Sequence, residues 1–213
     1  MNAKNHQQIS PNSHISPEKT VNSSFNSDSI DCVMPAAGMS SRMGVWKMML
    51  TYRKHTILDE SIENALGFCS RVILVTGFRG DELVDRYCND KGILLVNNQH
   101  YEQGIFSSMQ AGSKYVESEH YFICHGDMPC VDKQIYQQMW QYRGELCVFP
   151  GTERKWGHPA LIPATVIKKI TSKPATVTMK PILKEHGIHF LDMDNPDIHF
   201  DVDTPEEYQQ LIR

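Results

Sequence analysis

The sequence predicts an α/β fold in which a doubly wound, mostly parallel sheet is covered by helices on both faces. Short apolar and β-branched runs alternate along the chain with longer stretches of helical period. Strands that are apolar throughout need cover on both faces, and the alternating helices supply it. The chain has 213 residues and no internal repeat, so we expect residues 30–213 to form one domain.

The predicted strands are short runs of apolar and β-branched residues that end at turn-forming residues. In chain order they are IDCVM, RVILVTG, GILLVNN, HYFICHGD, ELCVFP, PALIP, IHFLDM and DIHFDV. The predicted helices are stretches in which apolar residues recur with the helical period. They are TILDESIENALGFC, RGDELVDRYCND, GIFSSMQAGSKYVES and VDKQIYQQMWQYR. Ligands of such folds bind at the carboxyl ends of the strands, so the loops after strands are the candidate functional segments.

Residues 1–29 differ from the rest of the chain. They are rich in Asn, Ser, Gln and Pro and carry a single aromatic residue. Such a segment cannot bury enough apolar surface to offset the entropy lost on ordering. We therefore expect a flexible N-terminal tail.

Charge and hydropathy exclude two classes of partner. The formal net charge is −4, whereas a surface that holds nucleic acid needs many lysines and arginines. No apolar run approaches the roughly 20 residues of a membrane-spanning helix, and the first residues lack the apolar stretch of a signal peptide. We expect no nucleic-acid partner, no membrane partner and a cytoplasmic location.

The segment PAAGMSSRMGVWKMML, residues 35–50, follows the first predicted strand and combines glycines, serines and cations. Gly38 and Gly44 allow positive φ and close approach of the backbone, and exposed N–H groups near a helix start bind anions. Arg42 and Lys47 supply the positive charge that a polyphosphate needs. Valine follows Gly44 where a Walker A loop has lysine, and the pattern is not G-x-G-x-x-G. The segment is either a phosphate-binding loop or a turn with two solvated cations.

A second candidate is FICHGDMPCVD, in which an apolar run stops at Gly126, Asp127 and Pro129. A carboxylate at the carboxyl end of a central strand is well placed to bind Mg²⁺, which prefers oxygen ligands and shares them with substrate phosphates. The alternative is that Asp127 is a helix cap or a turn residue.

A third candidate is HFDVDTPEEY, in which Asp201 and Asp203 alternate. In an extended segment the two side chains would point to opposite faces, so one of them alone would reach a given pocket. Asp203 and Thr204 precede Pro205, a pattern typical of a helix start. We therefore assign Asp201 to a metal ion and Asp203 to a structural role.

Other loops carry polar groups that a nucleotide or an acceptor could use. VTGFRGDEL places Gly77 and Arg79 after a strand, and NNQHYEQGIFSSMQAG places Asn98, Ser107 and Ser108 between a strand and a helix. Ordinary βα turns are the alternative for both. KWGHPALI sets Gly157, His158 and Pro159 ahead of a strand, as a candidate rim of an acceptor pocket. A single histidine in such a place is more often structural.

Together these segments resemble the family of nucleotidyltransferases that act on the molybdenum cofactor. PAAGMSSRMGVWKMML is similar to the family's nucleotide-binding signature, A-A-G-x-S-S-R-M-G-x-x-K, with Gly38, Arg42, Gly44 and Lys47 in register. VILVTGFRGDEL, QGIFSSMQAG, HGDMP, GHPALI and DVDTPEEY follow in the family's order, so the resemblance covers residues 30–213. AAG and WKMML resemble the cytidylyl-transferring members, since the guanylyl-transferring ones carry AGG.

The resemblance implies a Rossmann-like, GT-A-like nucleotidyltransferase fold and a reaction of CTP with molybdenum-loaded molybdopterin. It implies catalytic roles for Arg42, Lys47 and Asp127, and Mg²⁺ or Mn²⁺ held by Asp127 and Asp201. A molybdenum hydroxylase apo-enzyme is the partner that it implies for the product. The residues placed at the nucleotide are Ala36, Ala37, Gly38, Ser40, Ser41, Arg42, Gly44, Lys47, Thr76, Gly77, Arg79, Asn98, Ser107 and Ser108. Those placed at the acceptor are Gly157, His158 and Pro159.

Two alternatives stay open at this point. An enzyme of the same fold could use another phosphate acceptor, or GTP or ATP, because the signature loop reports nucleotide chemistry better than it reports the acceptor. A non-catalytic carrier that delivers cofactor to a molybdenum hydroxylase is the second. Release of pyrophosphate from CTP separates an enzyme from a carrier.

Overall fold

The computed structural model of the protein describes residues 28–213. The predicted tail, residues 1–29, lies outside the described residues apart from its last two positions. The strands are β1 (Asp31–Pro35), β2 (Thr51–Tyr52), β3 (His55–Thr56), β4 (Arg71–Thr76), β5 (Ile93–Asn97), β6 (His120–Ile123), β7 (Cys147–Pro150), β8 (Ala160–Pro163) and β9 (Ile188–Leu191). The helices are α1 (Ile57–Leu66), α2 (Gly80–Tyr87), α3 (Ile105–Ser113), α4 (Lys133–Trp140), α5 (Ile167–Thr171), α6 (Met179–His186) and α7 (Pro205–Leu211).

A seven-stranded sheet has the order β5-β4-β1-β6-β8-β7-β9. β1 is parallel to both of its neighbours, β4 and β6, and β4 is parallel to β5. β8 runs antiparallel to β6 and β7, while β7 and β9 are parallel. The predicted mostly parallel α/β sheet is therefore confirmed, with β8 as the strand that reverses direction.

The strand order places a crevice at the carboxyl ends of β1 and β6. After β1 the chain builds β4 and β5 on one side, and it then crosses back to lay β6 on the other side. Loops that leave such a switch point diverge, and the gap between them binds ligands in α/β folds. The loops after β1 and β6 are the two that carry the predicted cations and Asp127.

Helices cover both faces of the sheet, as predicted. One core cluster joins β1 to α1, α2 and α4 through residues such as Leu58, Leu83 and Ile135. The other joins the opposite face to α3, α5 and α6. Gly112 lets α3 rest directly on the sheet, because a Cβ there would lie 2.5 Å from Val33 Cγ1. Among the helices of residues 28–213, none has the length and apolar character that crossing a membrane requires.

Three parts of the structure differ from the sequence prediction. DIHFDV is not a strand: residues 196–199 form a 3₁₀ turn, whose start is fixed by the Asn195 side chain accepting from the Asp197 N–H over 2.9 Å. The β2–β3 hairpin was not predicted, and it turns through Arg53 with a φ of 52°. Helices α5 and α6 were not predicted either. The hairpin, the 3₁₀ turn and α5 are too short for periodicity to identify them. Length does not explain the omission of α6, which has eight residues, as α2 and α4 have.

Helix α1 is anchored by a buried carboxylate, Asp59. Thr56 and Asp59 form a capping box at the start of the helix. Arg86 Nε donates to Asp59 Oδ1 over 3.0 Å and the Tyr87 hydroxyl donates to the same oxygen over 2.6 Å, which ties α1 to α2. Burial opposes ionisation, but the hydrogen bonds from Arg86, Tyr87 and Thr56 outweigh it and hold the pKa of Asp59 well below its usual range.

We expect Asp59→Asn to lower the free energy of unfolding by about 2 kcal/mol at pH 7, since an amide replaces a carboxylate that accepts charged hydrogen bonds. A depressed pKa contributes stability above the unfolded-state value of about 4, and this stability is lost as the pH falls below it. The difference in the free energy of unfolding between wild type and Asp59→Asn should therefore become smaller towards pH 3. Urea melts at several pH values measure it, with the exposed Asp85→Asn as control. A difference that stays constant with pH would contradict the claim that the ionised Asp59 carboxylate stabilises the fold.

Candidate active site

The β1 loop, residues 36–50, leaves the carboxyl end of β1 and folds back on itself. The Lys47 N–H donates to the Ser40 hydroxyl over 3.2 Å. Gly44 has a positive φ of 69°, as its predicted freedom allows, whereas the other positive φ in the loop, 54°, belongs to Ser40 and not to Gly38. Space beside Gly38 is open, because a Cβ there would meet no atom within 4 Å. A ligand can therefore approach the backbone of this loop closely.

Three carboxylates meet beside the β1 loop. Asp127 follows β6, whereas Asp201 and Asp203 precede α7, and one oxygen of each lies within 4.8 Å of the others. The Val202 N–H donates to the Asp127 carbonyl over 3.0 Å, which joins the two segments. The structure brings Asp127 and Asp201 together, as the predicted metal site requires.

The expectation that Asp203 is kept away from the site is wrong. Residues 201–203 do not form a strand, so the alternation of side chains between two faces does not apply to them. The helix cap belongs to Thr204, whose hydroxyl accepts from the Glu207 N–H over 3.2 Å. The Glu207 carboxylate in turn accepts from the Asp203 N–H over 2.8 Å, so α7 holds Asp203 in place.

Lys47 is the cation that joins these carboxylates. Its side chain is 9% exposed, and its ammonium donates to Asp203 Oδ1 over 2.6 Å and pairs with Asp127. Arg42 lies on the solvent side, with Nη2 2.5 Å from Asp203 Oδ2. Burial alone would lower the pKa of Lys47, but the charges of Asp127 and Asp203 raise it above its ordinary value. Lys47 therefore stays charged at neutral pH.

The carboxylates fit a hard divalent cation. Asp127 Oδ1 is enclosed and has no hydrogen-bond partner among the described residues, although an enclosed carboxylate oxygen needs one. Burial, together with the charges of Asp127 and Asp203, raises the pKa of Asp201 to about 6. Carboxylate oxygens in this number are the donors that Mg²⁺ and Mn²⁺ prefer.

A cleft of about 460 Å³ lies over the carboxylates and the β1 loop. Its walls include Ala37, Gly38, Ser40, Ser41, Arg42, Lys47 and Ser108 from the predicted nucleotide set. It is also lined by Tyr101, Glu102 and Gly104 from the segment between β5 and α3, and by Ile105, the first residue of α3. Cations and carboxylates thus line one cavity large enough for a nucleotide.

The remaining predicted nucleotide residues lie behind or outside this cleft. Ala36, Thr76, Asn98 and Ser107 are buried. Asn98 Nδ2 donates to the hydroxyls of Ser107 and Ser108 over 2.8 and 3.0 Å, so Asn98 orients Ser108 rather than lining the cleft itself. Gly77 lies against a wall residue, since a Cβ there would come within 2.7 Å of Tyr101 Cβ.

Gly44 and Arg79 face a separate, shallower depression. The Arg79 guanidinium lies over the Trp46 ring at 4.7 Å and donates to Glu82 Oε2 over 2.7 Å. This stack ties the β1 loop to the start of α2. The structure therefore gives Arg79 a role in holding the loop, and it does not bring Arg79 into the cleft.

The predicted acceptor rim, residues 157–159, is not among the residues that line the cleft. A Cβ at Gly157 would lie 2.9 Å from the carbonyls of Pro150 and Ile198, so this position is packed against backbone. The His158 ring packs against the His125 ring with a centroid separation of 4.2 Å and an interplanar angle of 42°. Burial lowers the pKa of His125 to about 4 and that of His158 to about 3.

Sequence reasoning missed several residues that line the cleft, namely His125, Tyr101, Glu102, Ile105 and Asp203. His125 had a usable signal, because it stands two positions before Asp127 at the end of the same strand. Tyr101 and Glu102 had none, since the 3₁₀ turn that carries them leaves no periodic pattern.

Known proteins share this architecture and sequence. The MobA-like NTP transferase domain matches residues 32–189. The chain is 41% identical over 179 residues to the molybdenum cofactor cytidylyltransferase of Escherichia coli K12, and the match covers 84% of this chain and 93% of that protein.

Solved structures share the fold. A nucleotidyl transferase from Methanothermobacter thermautotroptrophicus has a TM-score of 0.76 at 18% identity, over 87% of this chain and 96% of that one. Rv0371C from Mycobacterium tuberculosis H37Rv, solved in complex with manganese, has a TM-score of 0.69 at 21% identity, over 88% and 99% of the two chains. At these identities the likeness concerns the fold.

Proposed function

We propose that this chain, which belongs to the MobA-like NTP transferase family, transfers CMP from CTP to the terminal phosphate of molybdenum-loaded molybdopterin. The products are the cytosine dinucleotide form of the cofactor and pyrophosphate. The observation that carries the proposal is the meeting of Arg42 and Lys47 with three carboxylates in one cleft. The 41% identity to the cytidylyltransferase of Escherichia coli supports the choice of substrates.

In the proposed reaction an oxygen of the acceptor phosphate attacks the α-phosphorus of CTP, and the bond from that phosphorus to the leaving pyrophosphate breaks. The attacking oxygen is already an anion, so no general base is needed. Catalysis then consists of positioning and of neutralising charge. Arg42, Lys47 and the amides of the β1 loop bind the triphosphate and stabilise the charge that builds on pyrophosphate.

Asp127, Asp201 and Asp203 are the residues that would hold Mg²⁺ or Mn²⁺. Such an ion supplies electrostatic stabilisation of the charge shared by the α-phosphate and the leaving group. Lys47 is positioned by two of these carboxylates, so its ammonium stays at the cluster rather than in solvent. We further propose that residues 30–213 act as one domain and that the product passes to a molybdenum hydroxylase apo-enzyme.

A comparison of turnover with four nucleotides tests the proposed function. Purified protein, Mg²⁺ and molybdenum-loaded molybdopterin are mixed with CTP, GTP, ATP or UTP, and pyrophosphate and dinucleotide product are both measured. We expect CTP to give the highest rate and the cytosine dinucleotide as product. Faster turnover of GTP would assign the chain to guanylyl transfer. Binding of cofactor without release of pyrophosphate from any nucleotide would make it a carrier.

Ala37 offers a test of base selection. It is buried and lines the cleft. By the family resemblance, the guanylyl-transferring members carry a glycine at this position. Its methyl narrows the space that a purine needs, and one methyl in a packed pocket is worth about 1–3 kcal/mol. Ala37→Gly should therefore raise kcat/KM for GTP relative to CTP by roughly tenfold or more without a full switch. Competition between CTP and GTP at equal concentration, with products separated and counted, measures the ratio. An unchanged ratio removes Ala37 from base selection.

A further inference from the structure

His125 lines the cleft with Asp127 and Lys47, yet the proposed mechanism gives it no task. It follows β6, and its ring packs against the His158 ring at a centroid separation of 4.2 Å and a tilt of 42°. His158 is itself fixed, with Nδ1 3.3 Å from the Ile123 carbonyl. The His125 ring is therefore held in one orientation by packing.

The two ring nitrogens of His125 differ in their surroundings. Nε2 is enclosed and has no hydrogen-bond partner among residues 28–213. Nδ1 also has no hydrogen-bond partner among these residues, but it is not enclosed as Nε2 is, so Nδ1 is the ring nitrogen within reach of a ligand in the cleft. An imidazole N–H donates a hydrogen bond, and phosphate oxygens accept one.

The strand order indicates which phosphate lies nearest to Nδ1 of His125. The cleft wall that carries the predicted nucleotide residue Ser108, together with Tyr101 and Glu102, follows β5 on one side of β1. His125 and His158 lie on the other side, after β6 and before β8. With the nucleotide on the β5 side and its phosphates on the β1 loop, the side after β6, which carries the histidines, is the side left for the acceptor.

We propose that His125 donates a hydrogen bond from Nδ1 to the phosphate of the acceptor and so positions the attacking oxygen. This inference rests on the proposed function, because it assumes that the acceptor is a phosphate. His158 acts as a positioning residue that keeps the His125 ring aimed at the cleft.

Three variants test the contact. His125→Leu removes both nitrogens, His125→Asn keeps a donor near the place of Nδ1, and His125→Gln keeps one near the place of Nε2. We expect His125→Leu to raise KM for molybdenum-loaded molybdopterin about tenfold to a hundredfold, as for loss of a hydrogen bond to a charged group, with KM for CTP within about twofold. His125→Asn should recover most of this loss and His125→Gln little of it. His189→Leu, an exposed histidine on β9, is the matched control.

A second measurement does not depend on turnover. Titration with phenyl phosphate by calorimetry reads the affinity for a phosphomonoester, and His125→Leu should weaken it about tenfold or more. Unchanged affinity in this titration overturns the proposal whether or not the wild type transfers CMP. A rise in KM for CTP instead of the acceptor, or rescue by His125→Gln rather than His125→Asn, also overturns it. Absence of turnover in wild type, with the phosphomonoester still bound through His125, counts against the proposed function and leaves this contact supported.

Discussion

Asp127→Asn is expected to reduce kcat by about a hundredfold or more, because the carboxylate proposed to bind the divalent ion becomes a neutral amide. The fold should survive. Lys47 keeps its pair with Asp203, and the Asp127 carbonyl still accepts the Val202 N–H. Steady-state release of pyrophosphate under saturating CTP measures the effect, and circular dichroism checks the fold.

Asp194→Asn provides the matched control, since this exposed carboxylate lies on a loop away from the cleft and should leave kcat unchanged. Electron paramagnetic resonance measures the binding of Mn²⁺ and needs no turnover. Asp127→Asn should weaken this binding. If the variant keeps more than about a tenth of the wild-type kcat, a loss below roughly 1.4 kcal/mol, Asp127 does not have the proposed role.

Lys47→Met should lower kcat/KM for CTP by roughly a hundredfold to a thousandfold, because it removes a cation proposed to stabilise the leaving group. It should also destabilise the protein by about 3 kcal/mol in the absence of divalent ions, since Asp127 and Asp203 then face each other without their shared partner. Thermal unfolding in chelator and nucleotide kinetics in Mg²⁺ measure the two effects separately.

The double variant Lys47→Met, Asp203→Asn distinguishes the two roles of Lys47. Asp127 and Asp203 are both negative, so removing the charge of Asp203 should relieve their repulsion and restore much of the melting temperature. Activity should stay low. The exposed Lys168→Met is the control for loss of a lysine side chain. Recovery of activity together with stability would mean that Lys47 serves the fold alone.

The sequence predicted the parts of this site that depend on residue type at strand ends. Cations after β1 and a carboxylate after β6 meet because the carboxyl ends of parallel strands share one edge of the sheet. Asp203 could not be placed in this way. Its position depends on the bonds of Val202 to Asp127 and of Asp203 to Glu207, which are tertiary and capping contacts rather than a strand pattern.

For Arg79 the residue pattern predicted a contact that the structure does not show. A cation after a strand, in a loop that also carries glycines, predicts phosphate binding, yet its guanidinium lies on Trp46. A sequence cannot reveal which of several nearby partners a long, flexible side chain meets. The direction of β8 is a similar case, since its short apolar run fits a parallel or an antiparallel strand equally well.

The place of Asp201 and Asp203 in the chain makes the cluster depend on α7. Every strand of the central sheet lies before them, the last being β9 at Ile188–Leu191. The two carboxylates therefore reach Lys47 and Asp127 on a segment outside the sheet, which is held by the bonds of the Val202 N–H to the Asp127 carbonyl and of the Asp203 N–H to the Glu207 carboxylate. A change that loosens α7 would displace two of the three carboxylates and leave the sheet, with the pair of Lys47 and Asp127, in place.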